Sequence, residues 1–233
     1  MKADFRYGLR GVAIALLSLL LLACSEPKLA YIGSNGKLLA FGDSLTQGVG
    51  AKAGQDYPSR LAELCRCEVI NAGISGEQSA AGLERLPALL DETKPDLLIL
   101  LEGGNDILRG RSQAQLAQNI EAMLLEAKAR QIPVVLLAVP QKSLLLSPLP
   151  LYAELADKHG AILLEQTLSE LLLSPLPLYA ELADKHGAIL LEQTLSELLR
   201  SNELKSDTVH LNQQGYSRLA QVIFSRLQEA GAF

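Results

Sequence analysis

The sequence has no long run of charge of either sign. Its 233 residues carry 21 Lys and Arg against 26 Asp and Glu, a net charge of −5. Lys2, Arg6 and Arg10 outnumber Asp4 within the first 23 residues, so the remainder carries −7. A nucleic-acid-binding surface needs a basic stripe, often with interleaved aromatic side chains, and neither is present. The composition therefore argues against nucleic acid as a partner.

Three common site motifs are also missing. There is no G-x-S-x-G turn, which presents the nucleophile of the α/β-hydrolases, and no G-x-x-x-x-G-K-[ST] phosphate-binding loop. The stretch GVGAKAG lacks the G-x-G-x-x-G spacing of dinucleotide-binding turns. Only three cysteines occur, and no cluster of His and Cys completes a zinc site. We expect neither a metal nor an organic cofactor.

Two of the cysteines, Cys65 and Cys67, are separated by a single residue in LCRCEV. An oxidising compartment permits a bridge between them, whereas so short a loop strains disulfide geometry. The sequence leaves a disulfide and two free thiols both open.

The first 36 residues are predicted to lie outside the folded domain. A basic leader precedes an apolar run of 12 residues, which is too short to span a bilayer. Cys24 follows at once, and LLAC resembles a bacterial lipoprotein signal; an ordinary secretory signal with an incidental cysteine is the alternative. The resemblance implies a signal peptide at 1–23 and a lipidated Cys24 with its tether at 24–36. Because Ser25 rather than aspartate follows, it also implies the outer membrane, facing the periplasm.

From residue 37 onward, apolar runs alternate with helical patterns. KLLAFG, DLLILL and PVVLLAV are continuous apolar runs typical of buried strands, and amphipathic stretches such as SQAQLAQNIEAMLLEAKARQ separate them. This alternation predicts one α/β domain, residues 37–233, with a parallel sheet covered by helices on both faces. In such a sheet the functional groups lie at the carboxyl ends of the strands.

One segment occurs twice without a difference: Leu144–Leu172 is identical to Leu171–Leu199, at an offset of 27 residues. Repeat folds need several diverged units, so a recent duplication or an assembly error explains the identity better. We expect the second copy to supply the last strand, because its connection to Asp207 keeps the original length, and most of the first copy to loop out or pack at the sheet edge. His159 and His186, which end a predicted helix in each copy, are interpreted as solvated or capping residues.

Polar or glycine-rich loops follow three of the predicted strands. Ser44 in AFGDSLTQG stands where a nucleophile could attack, although Ser and Asp are equally common as helix N-caps. NAGISGE places Gly76 after the second predicted strand, EVINAG, and LEGGND places Asn105 after the third, DLLILL. Two backbone N–H groups, from Ser44 and Gly76, could form an oxyanion hole with the Asn105 amide. Singly, each residue could be an ordinary turn former.

Near the C-terminus, KSDTVHLN places Asp207 three residues before His210. At this spacing a carboxylate can reach the imidazole N–H and fix its tautomer. An isolated D-x-x-H pattern is more often a polar surface loop.

In this order, FGDSLTQG, NAGISGE, EGGND and SDTVHLN resemble the four sequence blocks of the SGNH (GDSL) hydrolases. The closest likeness is to the bacterial periplasmic thioesterase I/arylesterase/lysophospholipase group. The resemblance implies a flavodoxin-like, three-layer fold with a five-stranded parallel sheet between helices. It also assigns the site: Ser44 as nucleophile, His210 as base, Asp207 as the residue that orients the base, and Ser44, Gly76 and Asn105 as the oxyanion hole.

The implied reaction is hydrolysis of a small acyl ester, thioester or lysophospholipid through an acyl-enzyme, without metal or cofactor. One alternative is an acyltransferase or polysaccharide O-deacetylase on the same site. Another is a catalytically impaired envelope lipoprotein, because the repeat lies between the oxyanion groups and the Asp–His loop. Leu211 stands where the family usually has proline, which is a minor departure. Asp43, Glu102 and Asp106 are interpreted as structural, shaping loops through backbone hydrogen bonds.

Overall fold

The computed structural model describes residues 29–140 and 176–233. Cys24, the predicted signal peptide and the whole first repeat copy, with its predicted looped-out or edge-packed position and His159, lie outside these residues. Within the described part of the chain, no helix is long and apolar enough to cross a membrane.

Five parallel strands form one sheet in the order β2-β1-β3-β4-β5. The strands are β1 Lys37–Gly42, β2 Glu68–Gly73, β3 Leu97–Leu101, β4 Val134–Leu137 and β5 Ile189–Leu191. The helices are α1 Ser44–Gln47, α2 Tyr57–Cys65, α3 Ser79–Thr93, α4 Gly104–Leu108, α5 Gln113–Ala129, α6 Pro177–His186, α7 Thr194–Arg200, a 3₁₀ turn Asn202–Leu204 and α8 Gln213–Glu229.

The helices form two layers, one on each side of the sheet. On one side α2 packs against α8, which also contacts α7; on the other, α5 packs against both α3 and α6. All five residues of β3 are buried, as are all four of β4, which explains their unbroken apolar sequences. The edge strand β2 is partly exposed. The predicted three-layer, flavodoxin-like fold is confirmed.

The second repeat copy supplies β5, as predicted. Leu176 of this copy lies beside the residues that follow β4, and its N–H donates to the carbonyl of Val139 at 3.4 Å. His186 ends α6, with Gly187 in the left-handed region behind it. Its side chain is only 6% exposed, and its Nε2 lies 3.3 Å from an oxygen of Glu121. The prediction of a helix end is therefore confirmed, and that of a solvated imidazole is wrong.

A tyrosine of the second copy reaches the end of β3. The hydroxyl of Tyr179 is buried and donates to the carbonyl of Glu102 at 2.6 Å. Gly103 follows with φ +111°, and a Cβ there would lie 2.5 Å from the same hydroxyl. Only glycine combines this backbone conformation with so close an approach. Tyr179 thus holds the backbone that leads into α4.

Two cysteines at the end of α2 are joined. Cys65 and Cys67 form a disulfide, with Arg66 between them at φ 54°. The structure thus selects the bridge from the two states that the sequence left open.

Removing residues 144–170, which leaves one copy of the repeat, should raise the stability of the protein. The connection from Pro140 to Leu176 falls from 35 residues to eight, and its two ends already meet at the Val139–Leu176 hydrogen bond. The lower loop-closure entropy is worth about 1 kcal/mol, or a rise in Tm of about 2–4 °C for a domain of this size. Calorimetry of both chains measures this, and a lower Tm would show that the removed residues make stabilising contacts.

Candidate active site

The predicted site residues follow strands whose carboxyl ends lie side by side. Gly42, the last residue of β1, is in register with Gly73 of β2 on one side and Leu101 of β3 on the other. After β1 the chain continues to β2 on one side, and after β3 it continues to β4 on the other side. The connections that follow β1 and β3 therefore run in opposite directions, which makes the place between these two strands a topological switch point. Ligands of open α/β sheets bind at such points.

Two glycines allow the loops to approach the sheet this closely. A Cβ on Gly42 would lie 2.2 Å from the carbonyl oxygen of Leu101, and one on Gly73 would lie 2.1 Å from the backbone nitrogen of Gln47. Both obstacles are backbone atoms, which cannot turn away as a flexible side chain could. A larger residue would therefore push β3 away from Gly42 or α1 away from Gly73.

Ser44 is the first residue of α1, directly after the N-cap Asp43. A carboxylate oxygen of Asp43 accepts the N–H of Leu45 at 3.0 Å, so Asp43 is the helix cap and Ser44, next to it, is the candidate nucleophile. At this first helical position the N–H of Ser44 has no acceptor within the helix. Ser44 is 9% exposed.

The Asp207–His210 loop reaches Ser44. Nε2 of His210 lies 3.0 Å from Oγ of Ser44, and Nδ1 of His210 lies 2.7 Å from a carboxylate oxygen of Asp207. The other carboxylate oxygen accepts the N–H groups of Val209 and His210, each at 2.8 Å. Because the carboxylate can only accept, Nδ1 carries the proton and Nε2 is free to accept from the serine hydroxyl.

Three contacts hold this loop over α1. The N–H of Ser206 donates to the carbonyl of His210 at 3.0 Å, closing the loop. A Cβ on Gly50, which has φ +96°, would lie 2.1 Å from Oγ of Ser206, so the loop after α1 touches the Asp–His loop. Tyr216 of α8 donates to the carbonyl of Val49 at 2.7 Å. The inserted repeat copy has thus not displaced the loop from the serine.

The hydrogen bonds to Asp207 affect its ionisation. Partial burial of this carboxyl would raise its pKa, but the N–H of Val209 and the backbone and ring of His210 outweigh that effect. The pKa of Asp207 therefore lies below its ordinary value, and the group is a carboxylate at neutral pH.

Gly76 lies in a turn that is tied to β1 and α1. The turn runs from Ile74 to Glu77, whose N–H donates to the carbonyl of Ile74 at 3.2 Å, and Gly76 has φ +79°. Positive φ at the third position of such a turn favours glycine. Ile74 donates to the carbonyl of Gly42 at 2.9 Å, and Ser75 donates to the Gln47 side chain at 2.8 Å.

Asn105 is fixed by a residue that sequence reasoning treated as structural only. Its side-chain nitrogen lies 3.4 Å from Oδ2 of Asp43, which is only 2% exposed. Because a carboxylate accepts, this contact identifies the amide atom that faces Asp43 as the nitrogen of Asn105 rather than its oxygen. Burial raises the pKa of Asp43 to about 6, while the N–H of Leu45 and the nearby His210 oppose the rise.

The backbone roles predicted for the buried acids are confirmed. Besides Asp43, which accepts the N–H of Leu45, Asp106 accepts the N–H of Ser79 at 2.8 Å and Glu102 accepts the N–H of Gly103 at 3.2 Å. Glu102 is fully buried, and burial together with the neighbouring acids raises its pKa well above the ordinary range. It is therefore neutral at pH 7.

Sequence reasoning missed the ion pair beneath the site. Arg85 of α3 bonds through Nε to a carboxylate oxygen of Glu77 at 2.7 Å and through Nη2 to the carbonyl of Ala72 at 2.8 Å. Its guanidinium lies over the ring of Phe41, 3.9 Å from the centroid. No motif signals these contacts, because Arg85 looks like any polar residue on an amphipathic helix.

Nothing in the described residues groups three His, Cys, Asp or Glu side chains closely enough to hold a metal ion. A hydroxyl, an imidazole and a carboxylate bonded in sequence at the carboxyl edge of a parallel sheet are typical of serine hydrolases. Residues 40–218 match the model of the GDSL-like Lipase/Acylhydrolase family. The chain belongs to this family.

The chain is also similar to individual proteins whose names describe them as esterases or thioesterases. The chain is 44% identical over 107 residues to Esterase TesA of Pseudomonas aeruginosa, covering 44% of this chain and 53% of that protein. It is 38% identical over 104 residues to the Escherichia coli K12 protein named Thioesterase 1/protease 1/lysophospholipase L1, covering 44% and 50%. The chain thus spans about half the length of these relatives. A crystal structure of TesA superposes with a TM-score of 0.64 at 30% identity, covering 83% of this chain and 99% of that one.

Replacing Asp43 by Asn should change how stability depends on pH. The folded-state pKa of Asp43 is raised from 3.8 to about 6, so the folded protein binds this proton more tightly than the unfolded chain. Between these values the parent loses stability as pH rises, and Asp43→Asn does not. Across pH 4 to 7 the free energy of unfolding should therefore shift in favour of the variant, by up to roughly 3 kcal/mol. Urea unfolding at several pH values measures the difference; a constant difference would contradict the assignment.

Proposed function

We propose that this protein is a serine esterase that hydrolyses small acyl esters or thioesters through an acyl-enzyme. The observation that supports it best is the hydrogen-bonded sequence from Ser44 through His210 to Asp207, with separations of 3.0 and 2.7 Å. The residues come from the two ends of the domain and meet at the point of the sheet where ligands bind in this class of fold.

The first step is attack by Ser44. A serine hydroxyl is a weak nucleophile unless a base takes its proton as it attacks. His210 presents an unprotonated Nε2 to that hydroxyl, and the imidazolium formed as Oγ bonds to the carbonyl carbon is stabilised by Asp207. His210 then gives the proton to the departing alcohol or thiol. Water, deprotonated by the same nitrogen, releases the acid and regenerates Ser44.

The developing oxyanion needs donors that are in place before the reaction. We assign the N–H groups of Ser44 and Gly76 and the side-chain nitrogen of Asn105. The first belongs to the start of α1, the second to a turn bonded to Gly42 and Gln47 through its neighbours, and the third contacts Asp43. Rigid attachment of each donor supports this role, because preorganised dipoles need no rearrangement at the transition state.

The two alternatives differ in what supports them. The bonded Ser44–His210–Asp207 sequence argues against a catalytically impaired lipoprotein. An acyltransferase or O-deacetylase would use the same steps on another donor or acceptor, so the products distinguish them: free acid from simple esters, or a new ester on an added alcohol or sugar.

We also propose that Cys24 carries a lipid anchor and that the domain faces the periplasm from the outer membrane. The LLAC sequence and Ser25 support this assignment. Fractionation of membranes from cells that make the parent or Cys24→Ser tests it; equal membrane recovery of both would refute the anchor.

Replacing Ser44 by Ala should abolish hydrolysis of p-nitrophenyl butyrate by the full-length protein. Without Oγ no acyl-enzyme can form, and kcat should fall by at least about 1,000-fold. Release of p-nitrophenol at pH 7.5 measures the rate. Ser225→Ala, on an exposed part of α8, is the matched control and should retain parental activity. Hydrolysis by Ser44→Ala at the parental rate would rule out Ser44 as the nucleophile.

Replacing Asn105 by Ala should lower kcat by about 100- to 1,000-fold with little change in KM, because the lost donor acts mainly on the transition state. Steady-state kinetics on the same ester give both constants. A rise in KM at constant kcat would instead place Asn105 in ground-state binding.

A further inference from the structure

An arginine at the rim of the site has no role in the steps above. Arg109 ends α4, the helix that carries Asn105, and its N–H donates to the carbonyl of Asn105 at 3.1 Å. Its guanidinium reaches across to the turn after β2: a Cβ on Gly76 would lie 3.6 Å from Nη2 of Arg109. Arg109 is therefore bonded through its backbone to one residue assigned to the oxyanion hole, and its guanidinium lies next to another.

The charge of Arg109 is exposed and unpaired among residues 29–140 and 176–233, where its guanidinium has no hydrogen bond or ion pair. The acids of the same two loops have other partners. Glu77 binds Arg85, and Asp106 accepts from Ser79. The next arginine, Arg111, is held by the side chain of Gln78 at 2.8 Å. Arg109 is thus the cation of these loops that is open to a ligand.

The surroundings of Arg109 suit an amphipathic ligand. Ile74 and Leu108, which lie on the same two loops, are 47% and 43% exposed, unusually high for large apolar side chains. A guanidinium next to apolar surface binds phosphate well, because it is weakly hydrated and can offer two parallel N–H donors.

We propose that Arg109 is a specificity-determining residue that recognises a phosphate close to the scissile ester. This inference rests on the proposed function, since the ester carbonyl must bind at Gly76 for the phosphate to meet Arg109. In a 1-acylglycerol 3-phosphate, six bonds separate the carbonyl carbon from phosphorus, roughly 7 Å when extended. That length allows the phosphate to reach a cation next to Gly76, whereas the phosphates of an acyl-coenzyme A lie much farther from the thioester.

The test compares substrates that differ only in the phosphate. The full-length parent and Arg109→Gln are assayed on 1-lauroylglycerol and on 1-lauroylglycerol 3-phosphate in the same detergent micelles. In the variant, kcat/KM for the phosphate ester relative to the neutral ester should fall about tenfold, the effect of a charge-assisted hydrogen bond near the surface. Arg109→Lys should keep part of the preference, and added salt should weaken the preference of the parent.

Lys128→Gln is the matched control, since it removes one exposed cation next to the opposite end of the strands. It should leave the ratio of the two substrates unchanged. A second pair, lauroyl-coenzyme A and the neutral lauroyl thioester of N-acetylcysteamine, distinguishes a nucleotide phosphate from a glycerol-linked one.

The outcomes separate this inference from the proposed function. A parent that hydrolyses p-nitrophenyl butyrate but none of these four lauroyl substrates overturns this inference alone, whereas a parent that hydrolyses none of the five contradicts both. Hydrolysis with a ratio unchanged in Arg109→Gln overturns the role of Arg109 alone, including the case where both rates fall together because the arginine only supports the Gly76 turn. A loss confined to the coenzyme A pair overturns the assignment to a glycerol-linked phosphate.

Discussion

The pairing of Gly42 with Gly73 on one side and Leu101 on the other is the constraint on which the rest of the site depends. It brings three strand ends to one line, and the missing side chains of the two glycines let α1 lie directly on them. Ser44, Gly76 and Asn105 then lie only a few residues from that line. The strand ends already fix the position of Ser44, and the C-terminal loop places His210 next to it.

Several acidic side chains are buried beneath the site, and burying a charged carboxylate costs free energy. Asp43, Glu77, Glu102 and Asp106 are all buried, with the guanidinium of Arg85 paired to Glu77. The structure accommodates the others differently: Asp106 is bonded to Ser79, Glu102 is neutral, and Asp43 has a raised pKa. Perturbed acids of this kind are common near functional sites. Here Asp43 connects the acidic layer to the site by contacting Asn105.

The sequence predicted the sheet, the source of β5 and the approximate position of every proposed catalytic residue, because each depends on apolar patterning or on a motif at a strand end. It could not predict contacts that depend on side-chain direction. Asp43 and Asn105 are 62 residues apart, and their contact follows from loop geometry rather than spacing. The state of Cys65 and Cys67 stayed open and the burial of the His186 side chain against Glu121 was not predicted for the same reason: local sequence allows both states, and only packing decides between them.

The hydrogen bond from Tyr179 to Glu102 affects how a substitution in the repeat has to be interpreted. Tyr179 belongs to the second copy, and the chain carries the same sequence, with Tyr152 in the corresponding place, 27 residues upstream. A substitution at Tyr179 therefore leaves an unaltered version of the whole segment within the same polypeptide. If the first copy can take the place of the second, the defect measured for a substitution at Tyr179 alone is a lower limit on what the tyrosine contributes. A double substitution of Tyr152 and Tyr179 then measures the full contribution.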